Sequence, residues 1–123
     1  MNLNLIQQPF LKNFPGDNSY NTMQRQTPDV VYCLVKPEIF EASSTIHFNE
    51  DLSQKIGLGK IESDKDSLFL AAQYLPENVN AYSTAYAGHQ FGNWAGQLGD
   101  GRAINIGEIN FEGLNTELQW KGA

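Results

Sequence analysis

The chain has a single cysteine, Cys33, among its 123 residues, so no intrachain disulfide can form and nothing marks a secreted, stapled fold. It is also short of charge. Only 18% of residues are charged, against the usual quarter, and the balance is acidic: 8 Lys and Arg against 14 Asp and Glu, a formal net charge of −6. A general grip on nucleic acid needs many Lys and Arg side chains to displace counterions, and this balance excludes it. No apolar run approaches the roughly 20 residues of a membrane span. Residues 1–14 carry neither a basic head nor a cleavage site, so no signal peptide is expected. Together these absences predict a cytoplasmic protein whose partners include neither membrane nor nucleic acid.

The chain is nevertheless built to fold. Hydrophobic residues make up 41% and aromatics 11%, above the level of a disordered composition. Residues 30–35 (VVYCLV) are β-branched and aromatic and predict a strand closed by Pro37. A second short extended stretch is expected at residues 44–48. Asn49 is a candidate N-cap, with Glu50 and Asp51 in the first turn, Leu52 and Ile56 on one face, and Gly57 at the close. A second helix is predicted from Asp66 to about Leu75, on the spacing of Leu68, Ala71, Ala72 and Leu75 ahead of Pro76.

The texture changes after Ala81. Glycines stand at 88, 92, 96, 99, 101 and 107, interleaved with His89, Phe91, Trp94, Asp100 and Arg102. Glycine at this density serves sharp turns or the close approach of backbone to a ligand. Residues 103–109 (AINIGEI) favour a strand, although Ile104 and Ile106 share their parity with Glu108. Residues 111–115 predict a turn, and residues 116–121 (TELQWK) a strand with Leu118 and Trp120 opposite Glu117, Gln119 and Lys121. The predicted division is therefore an extension with short strands and helices over residues 1–80 and a glycine-rich hairpin over residues 81–123.

A glycine turn between strands lets backbone N–H groups reach phosphate oxygens. A lysine on the polar face of the next strand can meet them as a point charge, and an arginine beside the turn adds a fork of donors. Gly99, Gly101, Arg102 and Lys121 fit that use. The spacing is neither a Walker loop nor a Rossmann fingerprint, and Gly107 falls too late for the usual kinase glycine loop. Spacing alone therefore leaves phosphate binding and a plain β-turn both open. Asp100 either orients Arg102 or only favours the turn. His89 has too few His or Cys companions for a metal site and is expected to be structural. Phe91 and Trp94 are expected to supply core area rather than to stack on adenine, Cys33 to be an inert buried hydrophobe, and Glu108 and Glu117 to be strand-face carboxylates.

The string YAGHQFGNWAGQLGDGRA (residues 86–103) closely resembles the signature of the selenoprotein O family of protein adenylyltransferases. ELQWKGA (residues 117–123) is similar to the lysine-bearing strand that follows it there. Weaker agreement covers FPGDNSY (residues 14–20) and IGL (residues 56–58). The resemblance implies an α+β fold: an incomplete protein-kinase-like N-lobe, with an antiparallel β-hairpin preceded by short helices. It implies ATP as ligand, contacted by Gly99, Gly101, Arg102 and Lys121, and transfer of AMP to Ser, Thr or Tyr hydroxyls of protein substrates with Mg or Mn. It also implies that the partner glutamate of the lysine, the catalytic aspartate and the metal-binding Asn and Asp have no counterpart in these residues. The expectation is thus the amino-terminal part of a larger enzyme, with no catalytic residue or metal ligand of its own. The alternative is a truncated, non-catalytic domain that binds nucleotide or protein. Trp120 stands where the family commonly has a smaller aliphatic residue.

Overall fold

The computed structural model describes residues 1–23, 25–98 and 103–122. They form an α+β structure with a mixed sheet and short helices. A 3₁₀ turn (Leu3–Leu5) and helix α1 (Pro9–Asn13) lead into β1 (Gly16–Asp17) and β2 (Tyr32–Leu34). Helices α2 (Glu50–Lys55) and α3 (Asp64–Leu70) follow, then β3 (Tyr82–Thr84), β4 (Tyr86–Gln90), β5 (Asn93–Leu98), β6 (Ala103–Phe111) and β7 (Leu114–Lys121). The main sheet runs β1-β2-β3-β6-β7, parallel only between β1 and β2, while β4 and β5 form a separate antiparallel hairpin. No helix among the described residues is long and apolar enough to cross a membrane.

The sheet's two faces are packed differently. One face carries Ala81, Ile104, Ile106, Ile109, Leu118 and Trp120 and is covered by α2, α3 and the residues around them. Phe69 of α3 meets Trp120 edge-on at 5.4 Å, which gives the bulky indole its place. On the other face α1 covers only the β2–β3 half, through Phe10 and Leu11 against Tyr32, Leu34 and Tyr82. The β6–β7 half of that face stays open and polar. Core clusters on both faces therefore combine residues from before and after position 81.

The hairpin expected near the end of the chain is present. β6 and β7 pair antiparallel from Ala103↔Lys121 to Phe111↔Leu114. Glu112 (φ 49°) and Gly113 (φ 81°) both lie in the left-handed region, as a two-residue primed turn requires. The awkward parity of β6 is resolved by a bulge between Asn105 and Gly107, where Ile106 has no partner of its own. The extra residue lets Ile104, Ile106 and Ile109 all be buried while Glu108 turns to the polar face. Past the bulge, Gln7 pairs with Glu108 in both directions (N–H···O 2.9 and 2.8 Å), so the amino-terminal segment continues the sheet edge. Buried Gln8 donates to the carbonyls of Ile106 and Asn80, at 2.6 Å each, and accepts from the Asn80 N–H at 3.0 Å.

Several local expectations need correction. The strand of residues 30–35 shortens to β2, and residues 44–48 form no strand. Helix α2 is as expected at its start, with Asn49 Oδ1 accepting from the Leu52 N–H at 3.0 Å, but Leu52 is exposed while Ile56 is buried. Helix α3 begins earlier and ends earlier than the apolar spacing implied. Ser63 caps it in a reciprocal box with Asp66, and Ala72 at φ 59° stops it well before Pro76. The glycine-dense stretch, expected to serve sharp turns or close backbone approach to a ligand, holds the β4–β5 hairpin, reversed at Phe91 (φ 52°) and Gly92 (φ 81°).

Asp66 anchors α3 to the amino terminus. Its Oδ2 accepts from the backbone N–H groups of Glu62 and Ser63 (2.9 Å each) and pairs with the Met1 ammonium at 3.0 Å. Burial alone would raise this carboxyl, but those donors outweigh it and hold it below the usual carboxylate value. The folded value is depressed. Its contribution is therefore present above the ordinary carboxylate pKa, roughly 4, and is lost as pH falls through the lower folded value. Asp66→Asn is expected to cost about 1–3 kcal/mol at neutral pH and to flatten the acid limb of stability. Denaturant titrations at pH 7 and pH 3 check this; an equal loss at both pH values would rule out the charge as the cause.

Candidate functional site

The open half of the polar face is laid out by strand alternation. From the end nearest Ala103 it carries the cross-strand pairs Ala103↔Lys121, Asn105↔Gln119, Glu108↔Glu117 and Asn110↔Asn115. Gln119 Nε2 donates to Asn105 Oδ1 at 3.0 Å, and Asn115 Nδ2 donates to Glu108 Oε2 at 2.9 Å. Lys121 is the last residue of β7. Its side chain is exposed and forms no ion pair among the described residues. The reading of Glu108 and Glu117 as strand-face carboxylates agrees with this arrangement.

Of the residues expected to contact ATP, Lys121 alone falls within the described structure. Gly99, Gly101 and Arg102, with Asp100, lie outside the described residues. What the structure does place is their two neighbours in sequence. Ala103, which follows Arg102, pairs with Lys121. Leu98, which precedes Gly99, bridges to Gln26. The segment around Gln26 fixes β5 from the side. Gln26 Nε2 donates to the Ala95 carbonyl at 2.8 Å, Gln26 Oε1 accepts from the Gln97 N–H at 3.1 Å, and the Thr27 N–H donates to the Gln97 carbonyl at 2.9 Å. The Gln97 side chain in turn donates to the carbonyl of Val30. A Cβ at Gly96 (φ 72°) would overlap the Gln26 amide, so this glycine is required by the tether. Gln26 and Thr27 were not singled out from sequence, and Gln97 was noted only as one of the residues between the glycines. Their partners lie about seventy positions away, and no local pattern announces them.

Phe91 and Trp94 do not supply core area. Phe91 is fully exposed at the tip of the β4–β5 hairpin and Trp94 is largely exposed. The hairpin projects from the main sheet, so its alternation has no second layer to bury against. His89 pairs with Trp94 across the hairpin and meets its ring edge-on at 5.2 Å. It is exposed, and among the described residues no group of three or more His, Cys, Asp or Glu is placed to hold a metal. Cys33 is buried in β2, as expected.

Residues 16–123 match the family described as protein adenylyltransferase SelO. A protein nucleotidyltransferase YdiU of Cytophaga hutchinsonii is 42% identical over 119 residues, covering 96% of this chain and 23% of that protein. Proteins of the same name from Flavobacterium johnsoniae (37% over 121 residues; 96% and 23%) and Rhodopseudomonas palustris strain HaA2 (40% over 114 residues; 90% and 22%) are also similar. No solved structure matches. The chain belongs to the protein adenylyltransferase SelO family, and it spans about a quarter of the length of these curated relatives.

Proposed function

We propose that this chain is the ATP-binding, amino-terminal part of a protein adenylyltransferase, forming part of a kinase-like N-lobe. In this reading residues 1–80 support the sheet and residues 81–123 carry the nucleotide. The supporting observation is the pairing of Lys121 with Ala103, the residue directly after Arg102, at one end of an open polar face. A lysine there and an arginine one residue beyond its cross-strand partner can serve the same phosphates. Gly99 and Gly101 bring backbone N–H groups close to phosphate oxygens without a Cβ in the way. Arg102 offers a forked donor and Lys121 a compact charge. AMP transfer joins a Ser, Thr or Tyr hydroxyl oxygen of a protein to the α-phosphorus as the bond to pyrophosphate breaks. The share of this chain in that step is to hold the triphosphate and offset its charge. Magnesium or manganese is expected in the whole enzyme; among the described residues no group of three or more His, Cys, Asp or Glu is placed to hold it.

The test joins residues 1–123 to the stretch of the Cytophaga hutchinsonii relative outside the matched region. The chimera is expected to bind ATP and to transfer label from α-labelled ATP to protein. Gly101→Val places a branched Cβ at the phosphate approach and should weaken ATP at least about tenfold, the equivalent of one 1.4 kcal/mol step, at an unchanged melting temperature. A chimera that folds but binds no ATP would overturn the function. Wild-type ATP affinity in both Gly101→Val and Arg102→Ala would overturn the site.

A further inference from the structure

β5 leads directly to Gly99, yet it belongs to the separate β4–β5 hairpin and not to the main sheet that carries Lys121. The two stems of the stretch from Gly99 to Arg102 are thus borne by different sheets: Leu98 closes β5, and Ala103 opens β6 opposite Lys121. A lysine on one sheet and a backbone turn fed from the other can serve one triphosphate only if their spacing is held. Residues 25–30 supply the hold. Arg25 is ion-paired with Asp17 of β1, an edge strand of the main sheet, and also donates to the carbonyls of Asn21 at 2.9 Å and Met23 at 3.3 Å. The turn ahead of Gln26 is therefore folded around a charge fixed to the main sheet. Thr27, only 4% exposed, and Val30 then meet the backbone and side chain of Gln97.

Gln26 completes the link in a different way. Its side-chain amide takes the place of a short piece of strand. It donates to the Ala95 carbonyl and accepts from the Gln97 N–H, the backbone groups on either side of Gly96. A primary amide holds a donor and an acceptor side by side, so one side chain satisfies both groups of that edge. The backbone bridge from Gln26 to Leu98 then fixes the last residue before Gly99. Gln26 is exposed, so core packing does not account for it. Two-point docking across Gly96 does, because a Cβ there would occupy the place of the amide. On the nucleotide reading above, we propose that Gln26 is a positioning residue for ATP, its amide holding the end of β5 so that the backbone beginning at Gly99 and the Lys121 ammonium meet the same triphosphate.

The experiment reads the tether in the full chain and the site in the chimera described above. Gln26→Met keeps the length of the side chain and removes both hydrogen bonds. In the full chain it should speed amide exchange at Gln97 about fivefold or more. The melting temperature should stay nearly unchanged, because the side chain is exposed. In the chimera the same change should weaken ATP about five- to tenfold. Gly96→Ala, whose Cβ displaces the amide, should weaken ATP to a similar degree. Adding Gln26→Met to it should cost nothing more, since the two changes remove one and the same contact. Unchanged ATP affinity in the Gln26→Met chimera, beside a wild-type chimera that binds ATP, would overturn the proposal and leave the nucleotide reading standing. Additive losses in the double variant, unchanged exchange at Gln97, or a melting temperature that falls in step with ATP affinity would overturn it equally, the last by marking Gln26 as a structural contact only. A wild-type chimera that folds but binds no ATP would overturn the nucleotide reading and this proposal with it.

Discussion

Lys121→Ala should all but remove AMP transfer from the chimeric enzyme while leaving its melting temperature where it was. The lysine side chain is exposed, forms no ion pair among the described residues, and holds its place in the sheet through backbone pairing with Ala103. Truncating such a surface side chain ordinarily changes stability by no more than about 0.5 kcal/mol. A charge-assisted contact to phosphate is worth roughly 1.5–3 kcal/mol, which corresponds to about a 10- to 150-fold loss in rate or affinity. Lys121→Arg tests the geometry as well as the charge, because a planar fork at the end of β7 does not reproduce a compact ammonium. It is expected to recover ATP binding in part and transfer less. The measurement is label incorporated from α-labelled ATP against ATP affinity for the three proteins, with thermal melts alongside. Transfer by Lys121→Ala at the wild-type rate would remove the lysine from the site, whatever its place in the sheet.

That lysine could be found from the sequence because a strand's side chains alternate. TELQWK alternates cleanly, so the polar face of β7 was legible before any coordinates. The start of α2 was legible for a similar reason, since Asn49 and two acids form a local signal. Features held by distant partners were not. Gln8 lies 98 positions from the carbonyl it satisfies at Ile106, and Gln26 lies 69 positions from Ala95. The β4–β5 hairpin was hidden by its glycines, which obscure alternation, and by a turn that places Phe91 in the left-handed region instead of the usual Asn or Gly. The start of α3 had a signal that apolar spacing obscured: Ser63 and Asp66 stand three apart, the pattern of a capping box. The imperfect parity of AINIGEI was itself information. One extra residue in a strand is what a bulge looks like before it is seen, and Gly107 stood next to it.

Gly107→Ala should therefore be among the most damaging single changes in the chain. Gly107 has φ 138°, in the region that side-chain-bearing residues rarely adopt, and a Cβ built there would overlap the backbone carbonyl oxygen of Gln7. A flexible side chain could move aside, but this oxygen accepts the Glu108 N–H at 2.8 Å and closes the bridge between the amino-terminal segment and β6. Relief would require that bridge to open. The bridge is flanked by the Gln8 hydrogen bonds to Ile106 and Asn80, so the disturbance would reach the core around fully buried Ile106. Backbone strain of this kind costs about 1–3 kcal/mol, and overpacking adds a similar amount. A cost above about 3 kcal/mol should lower the melting temperature of a small domain by more than about 10 °C. Two other glycines calibrate the result. Gly113 has φ 81° but nothing within 4 Å of its would-be Cβ, so Gly113→Ala should show the left-handed penalty alone, about 1 kcal/mol. Gly88 has open space and no left-handed φ, so Gly88→Ala should be close to neutral. The order of melting temperatures is expected to be Gly88→Ala, then Gly113→Ala, then Gly107→Ala far below. A Gly107→Ala protein that melts with Gly113→Ala would mean that the Gln7 bridge yields at little cost and that the bulge does not depend on it.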